Sequence, residues 1–134
     1  MSPKTALPST PDRELYLIDS ITQITPQMDS AVIVSGSHGG VSSASYVVNA
    51  PKRPFAVFFN DAGVGKDQAG IEALKILDEL QIAAFAYGHN SARIGQAQDG
   101  LDHGITMHAN QAGQAYQAYI GKPVAELVAQ LRQA

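Results

Sequence analysis

Residues 31–40 read Ala31-Val32-Ile33-Val34-Ser35-Gly36-Ser37-His38-Gly39-Gly40, a short apolar run followed by glycines and small polar side chains. An uninterrupted apolar run of this length is typical of a strand that is buried on both faces. The same pattern recurs at residues 55–59 and at residues 82–87, and a polar segment follows each of them. The three runs therefore predict adjacent parallel strands that end in polar loops.

Helical patterns separate these runs. Ile71, Leu74 and Leu77 recur at helical spacing with charged residues between them, which indicates an amphipathic helix. Strands that alternate with helices indicate βαβ units with right-handed crossovers. We therefore predict an α/β fold, a small three-layer sandwich with a mostly parallel sheet of four or five strands, Rossmann-like or flavodoxin-like. The other predicted elements are strands at 14–19 and 104–109 and helices at 41–49, 71–80, 111–120 and 124–133.

The length of 134 residues fits one domain. Pro3, Pro8 and Pro11 interrupt the first residues, and proline is excluded from regular helix and from central strands. The sequence predicts an extended N-terminal arm at residues 1–13 and a single α/β domain at residues 14–134.

Composition narrows the class of function. Only 16% of the residues are charged, the net charge is −3, and the nine basic residues are scattered, which argues against nucleic-acid binding. The chain has no cysteine, which excludes disulfides and thiolate chemistry. No apolar stretch approaches the ~20 residues of a membrane span, and the first residues lack the apolar core of a signal peptide. We expect a cytoplasmic protein and, given the low charge and the alanine-rich segment 111–120, a homo-oligomer.

The loop after the first run is a candidate binding site, because ligands of open α/β sheets bind beyond the carboxyl ends of the strands. The glycines allow close approach of a ligand, and the following helix start offers free N–H groups to an anion. Histidine gains and loses a proton near neutral pH, so His38 is a candidate general acid or base. A plain tight turn is the alternative. The predicted ligand-binding residues here are Gly36, Ser37, Gly39 and Gly40.

Asp61 comes directly after the second run, a position where catalytic acids are often held, although Asp is also a common turn residue. The segment 63–67, Gly-Val-Gly-Lys-Asp, is similar to the end of a P-loop but lacks the Ser or Thr that binds magnesium. A nucleotide triphosphatase is therefore not indicated. Lys66 is instead a candidate to supply positive charge to an anionic substrate.

The third run leads into His89, Ser91 and Arg93. His89 is a third candidate catalytic residue. Arginine forms bidentate bonds with carboxylates and phosphates, so Arg93 is a candidate ligand-binding residue, with a salt bridge to a nearby aspartate as the alternative. Ser91 is also a candidate ligand contact, but no Gly-x-Ser-x-Gly motif supports a nucleophilic serine.

The four histidines, at positions 38, 89, 103 and 108, lack the tight spacing of a metal site, and we predict no metal and no cofactor. The polar stretch 96–104 contains glycines that could act as hinges, so it is interpreted as a lid over the crevice or as a surface excursion.

These residues favour a small-molecule enzyme that acts on an anionic metabolite by acid–base chemistry of the lyase, isomerase or hydrolase type. The alternative is a non-catalytic ligand-binding or regulatory subunit of an oligomeric complex. His38, Asp61 and His89 would exchange protons, and the loop, Lys66 and Arg93 would hold the anion.

Overall fold

A computed structural model describes residues 12–116 and 120–134. Five strands form one sheet, and helices flank it on both sides. The strands are β1 Leu15–Ile18, β2 Val32–His38, β3 Ala56–Asn60, β4 Ala83–Tyr87 and β5 Thr106–Ala109. The helices are α1 Val41–Val48, α2 Glu72–Asp78, α3 Ala97–His103, α4 Gln111–Gln114 and α5 Val124–Arg132, with 3₁₀ turns at Ile21–Gln23, Pro26–Met28 and Lys66–Ile71.

The strands lie in the order β1-β2-β3-β4-β5. Neighbours from β1 to β4 are parallel, and β5 is antiparallel to β4. The fold is therefore α/β with a mostly parallel sheet in a three-layer sandwich, as the sequence predicts. The prediction of adjacent parallel strands at 31–34, 55–59 and 82–87 is confirmed, because β2, β3 and β4 cover all but the first residue of each run and pair side by side.

Alternation along the strands divides the core into two layers. Ile33, Val57 and Phe59 pack on one face of the sheet, together with the buried sides of α1 and α2. Phe58 and Phe85 pack on the other face beside α5, and their rings stack with centroids 4.8 Å apart. Successive side chains of a strand point to opposite faces, so a wholly apolar strand stabilises both layers at once.

Most of the stretch 96–104 is helical. Residues 97–103 form α3, which packs on the same face of the sheet as α5 through Leu101. Gly100 is tightly packed, because a methyl group built there would lie 2.8 Å from the hydroxyl oxygen of Tyr87. The small residue is needed because the buried Tyr87 ring packs directly against the helix.

Two predicted segments extend past the described ranges. Residues 1–11 of the predicted arm lie outside the described residues, as do residues 117–119 of the helix predicted over 111–120. Within the described ranges, α4 ends at Gln114. No helix in the described parts of the chain is long and apolar enough to cross a membrane.

Candidate functional site

The connections after β3 and β4 leave the sheet in opposite directions. The chain after β3 leads through the 3₁₀ turn to α2 on one face, whereas the chain after β4 leads to α3 on the other. Such a switch point opens a crevice at the carboxyl ends of the two strands, and ligands of open α/β sheets bind there. The structure thus places the crevice of this sheet between β3 and β4.

Asp61 lies at this switch point and is only 5% exposed. Its Oδ1 accepts hydrogen bonds from the backbone N–H of Gly63 at 2.8 Å and from that of His89 at 2.9 Å. The carboxylate therefore ties the loop after β3 to the loop after β4. Two N–H donors hold the carboxylate in one orientation, and Oδ2 remains directed toward β5.

Two imidazoles lie near the Asp61 carboxylate, each beside a different oxygen. His89 Nδ1 lies 3.4 Å from Oδ1, and His108 Nε2 lies 3.7 Å from Oδ2. The side chain of His89 is 50% exposed and that of His108 is 32% exposed. Both rings are therefore open to a small molecule, whereas the carboxylate between them is buried.

A β-bulge brings His108 to this position. Thr106 pairs with Tyr87, but His108 pairs with Ala86, so Met107 is an extra residue in the ladder. In a regular ladder His108 would lie opposite Phe85, whose side chain packs on the α5 face. The bulge moves His108 to the α2 face, on the side of Ala86. Bulges are over-represented beside active sites, where they redirect a side chain.

The turn that follows Asp61 has an unusual backbone. Ala62 and Val64 have φ of 51° and 66°. Gly63, which lies between them, and Gly65, which follows Val64, also have positive φ. A left-handed conformation is costly for a β-branched residue such as Val64, of the order of 1–3 kcal/mol. The hydrogen bond from Val64 N–H to the Asp61 carbonyl at 2.6 Å helps to hold this turn. Backbone strain of this kind clusters at functional sites.

Asp61 and His89 line a cavity of about 220 Å³ together with Gly88, Asn90, Ser91, Ile105 and Met107. Ser91 has a structural role in its wall, since its hydroxyl donates to the Gly88 carbonyl at 2.6 Å and accepts from Ile105 N–H at 2.9 Å. A serine hydroxyl has one proton to donate, and here it is used. The structure therefore gives no support to Ser91 as a nucleophile.

Other predicted residues lie apart from this cavity. His38 is the exposed last residue of β2, and its ring lies beside Gly40. Lys66 begins the 3₁₀ turn and is exposed. The Arg93 backbone N–H donates to Asp99, and this bond, with a second from His103, lowers the pKa of that carboxyl. Among the described residues, His38, Lys66 and Arg93 do not line the Asp61 cavity.

The loop at 36–40 is engaged by its own neighbours. The Gly36 carbonyl accepts from Gly95 N–H at 2.7 Å, and Ser37 Oγ accepts from Ile21 N–H at 2.9 Å. Gly39 donates its N–H to Asn60 at 3.2 Å and accepts from Ala73 at 2.8 Å. These contacts hold the carboxyl ends of the strands together, and anion binding at this loop stays a prediction.

The sequence predicts Asp61 and His89 at the site, but no motif in it indicates His108 as a catalytic residue. The bulge that orients His108 leaves no mark in the sequence beyond one extra residue in a short strand. Within the described residues, no three His, Asp or Glu side chains are arranged to hold a metal ion.

The chain matches no family model, no curated protein and no solved structure. The candidate site is therefore defined by the geometry of the chain's own residues, with Asp61, His89 and His108 at its centre.

Proposed function

We propose that the protein is an enzyme that transfers protons to and from a small anionic metabolite, in a reaction of the lyase, isomerase or hydrolase type. The observation that carries the proposal is the buried Asp61 carboxylate between the imidazoles of His89 and His108 at the switch point of the sheet. His89 and His108 are the proton-transfer groups in this proposal, and Asp61 is the residue that positions both.

A carboxylate beside an imidazole orients the ring and stabilises the imidazolium that forms during a reaction. At His89, Nδ1 faces Asp61, so Nε2 is the atom available to substrate. At His108, Nε2 faces Asp61, so Nδ1 is the available atom. Separations of 3.4 and 3.7 Å are longer than hydrogen bonds, and such contacts commonly shorten when substrate binds.

Two imidazoles on one carboxylate can divide the work of an acid–base reaction. One ring takes a proton from the substrate while the other, in its protonated form, returns one. The protonated ring also attracts a carboxylate or phosphate group, which supports an anionic substrate. The proposal invokes no metal ion and no organic cofactor.

The test begins with a panel of carboxylated and phosphorylated metabolites, incubated with the protein and followed by NMR for conversion. For any compound converted, Asp61→Asn and His89→Asn should each lower the turnover by at least about 100-fold, the usual size of a lost acid–base group. Asn at position 61 can still accept the bonds from Gly63 and His89 N–H, so the variant removes charge and keeps the turn.

His103→Asn is the matched control, because His103 also pairs with an aspartate, at 2.9 Å from Asp99, but on the exposed surface of α3. It should leave turnover unchanged. Loss of turnover in the control alone, or full turnover in both site variants, would refute the proposal. A metabolite that binds at Asp61 without conversion would support the alternative, a ligand-binding subunit.

We also propose that the protein is a cytoplasmic homo-oligomer. Support for the oligomer comes from the low charged fraction of 16% and from Val41, Tyr46 and Ile94, which are 61%, 43% and 53% exposed. Sedimentation velocity at several concentrations tests the assembly, and a monomer at high micromolar concentration would contradict it.

A further inference from the structure

The cavity at Asp61 is small, and its lining carries no permanent positive charge. Its volume of about 220 Å³ is below the ~300–1,000 Å³ of most small-molecule sites, so it fits a group of only a few heavy atoms. Ile105 and Met107 give it an apolar wall, and none of the described residues that line it is Lys or Arg. A substrate group that enters this cavity is therefore recognised by neutral hydrogen-bonding groups.

Most of the hydrogen-bonding groups in the wall are used by the fold. Gly88 N–H donates to the Ile105 carbonyl at 2.9 Å, and the Gly88 carbonyl accepts from Ser91 N–H at 2.9 Å. The Ser91 hydroxyl donates to Gly88 and accepts from Ile105. His89 N–H donates to Asp61. These bonds fix the turn at residues 88–91 and leave Gly88 and Ser91 no donor for a ligand.

Asn90 is the exception in this turn. It is exposed and lines the cavity, and among the described residues neither its backbone N–H nor its carboxamide makes a hydrogen bond. The residues on either side of it are fixed, so its backbone is held in place before a ligand arrives. It also follows His89 directly in the chain. Fixed neutral donors beside a proton-transfer group stabilise negative charge that develops on a substrate oxygen.

We infer that Asn90 is the oxyanion-binding residue of this site, and that the substrate is a small carbonyl compound. The Asn90 carboxamide donates to the carbonyl oxygen while His89 Nε2 takes a proton from the adjacent carbon. The C–H electron pair forms a C=C bond, and the C=O π pair moves to the oxygen, which gives an enolate. When the C=O bond forms again, the C=C pair takes a proton from an imidazolium.

The proton transfers in this inference rest on the proposed function, whereas the hydrogen bond from Asn90 does not. The absence of Lys and Arg from the described lining supports a carbonyl oxygen at Asn90, since this oxygen is neutral until the reaction begins. A protonated imidazole remains to attract the anionic group of the substrate.

The binding experiment titrates acetohydroxamate, a small planar analogue of an enolate, into the full chain in buffer with EDTA. NMR follows the backbone amide and the side-chain NH₂ of Asn90, and both signals should shift. N-Ethylhydroxylamine has the same framework without the carbonyl and should bind at least about 10-fold more weakly. Unmoved Asn90 signals, or equal binding of the two compounds, would overturn the inference.

Two variants test the carboxamide itself. Asn90 is not among the residues with positive φ, so Asn90→Ala fits the turn, and it should weaken acetohydroxamate binding about 10-fold. Asn90→Asp keeps the shape, removes the NH₂ donor and should weaken binding at least as much. Asn49→Ala removes another exposed carboxamide, at the end of α1, and should bind normally as the matched control. Wild-type affinity in both Asn90 variants would contradict the assignment.

Turnover separates this inference from the proposed function. For a compound that is converted, Asn90→Ala should lower kcat by about 100-fold and change KM much less, because the bond strengthens only as charge develops. An unchanged kcat would overturn the oxyanion role. Weak acetohydroxamate binding in Asn90→Ala together with full turnover in His89→Asn would refute the proposed function and support Asn90 as a binding residue.

Discussion

Gly36→Ala should destabilise the protein by steric overlap at the carboxyl end of β2. A methyl group at Gly36 would lie 2.6 Å from each of three backbone atoms, Asp19 O, Gln96 N and Gly95 C. Non-bonded heavy atoms pack best at about 3.5–4.0 Å, so each separation is short by about 1 Å. The three atoms belong to two different segments, so no single small shift relieves all of the overlaps.

The expected loss follows from two opposing effects. Overpacking of a tight site costs about 1–3 kcal/mol, and the triple overlap places Gly36→Ala at the upper end. Replacing glycine by alanine also restricts the unfolded chain, which returns about 0.4–1 kcal/mol. We therefore expect a net loss of about 2 kcal/mol in the free energy of unfolding, or a midpoint shift of about 1 M in urea.

Gly88→Ala is the control for this measurement, because it carries the same unfolded-state effect without backbone overlap. The closest atom to its added methyl is Met107 Cγ at 3.3 Å, at the flexible part of a side chain. Its stability should change by less than about 1 kcal/mol. If urea unfolding gave the two variants equal stability, the crossing of the 88–97 segment over β2 would not be as close as the structure places it.

Three further predictions concern buried or paired polar groups. Asn110→Ala removes four hydrogen bonds from a buried carboxamide and should lower the free energy of unfolding by about 3 kcal/mol, measured by urea unfolding; a loss below about 1 kcal/mol would contradict it. Tyr87→Phe removes the bond to the Ser35 carbonyl at 2.7 Å and should cost about 1–2 kcal/mol at pH 7. Burial raises the pKa of Tyr87 above its usual value, so wild-type stability should fall as pH rises above about 10, and Tyr87→Phe should reduce that fall. The pKa of Asp99 is lowered by the Arg93 N–H and His103, so its contribution is present above about pH 4 and lost at lower pH; thermal unfolding of Asp99→Asn should lack this acid-dependent part.

The parallel strands could be predicted because their sequences are almost entirely apolar. A strand covered on both faces must be apolar at every position, and the segments at β2, β3 and β4 have no other simple interpretation. The polar residues that follow these strands lie at the carboxyl edge of the sheet, because parallel strands all end at that edge. This is why the sequence alone predicts Asp61 and His89 at one edge of the sheet.

Helix α3 could not be predicted in the same way. Its sequence is mostly polar with glycine at its centre, a composition that is typical of a loop. The helix forms because Ala97 and Gly100 are buried against the rest of the fold and Leu101 packs beside α5. Tertiary packing overrides weak helix propensity here, and no pattern within residues 96–104 contains that information.

The same limit applies to His108, and it shows how the site depends on the fold. The histidine reaches Asp61 because β5 runs antiparallel to β4 and carries one extra residue at Met107. Strand direction and bulge together decide which face a side chain occupies, and a shift of one residue would place His108 on the α5 face instead. Asp61, which follows β3, accepts a hydrogen bond from the His89 backbone N–H and lies 3.7 Å from His108 of β5, two strands away in the sheet. A centre assembled from three separate connections is visible only when the register of the sheet is known.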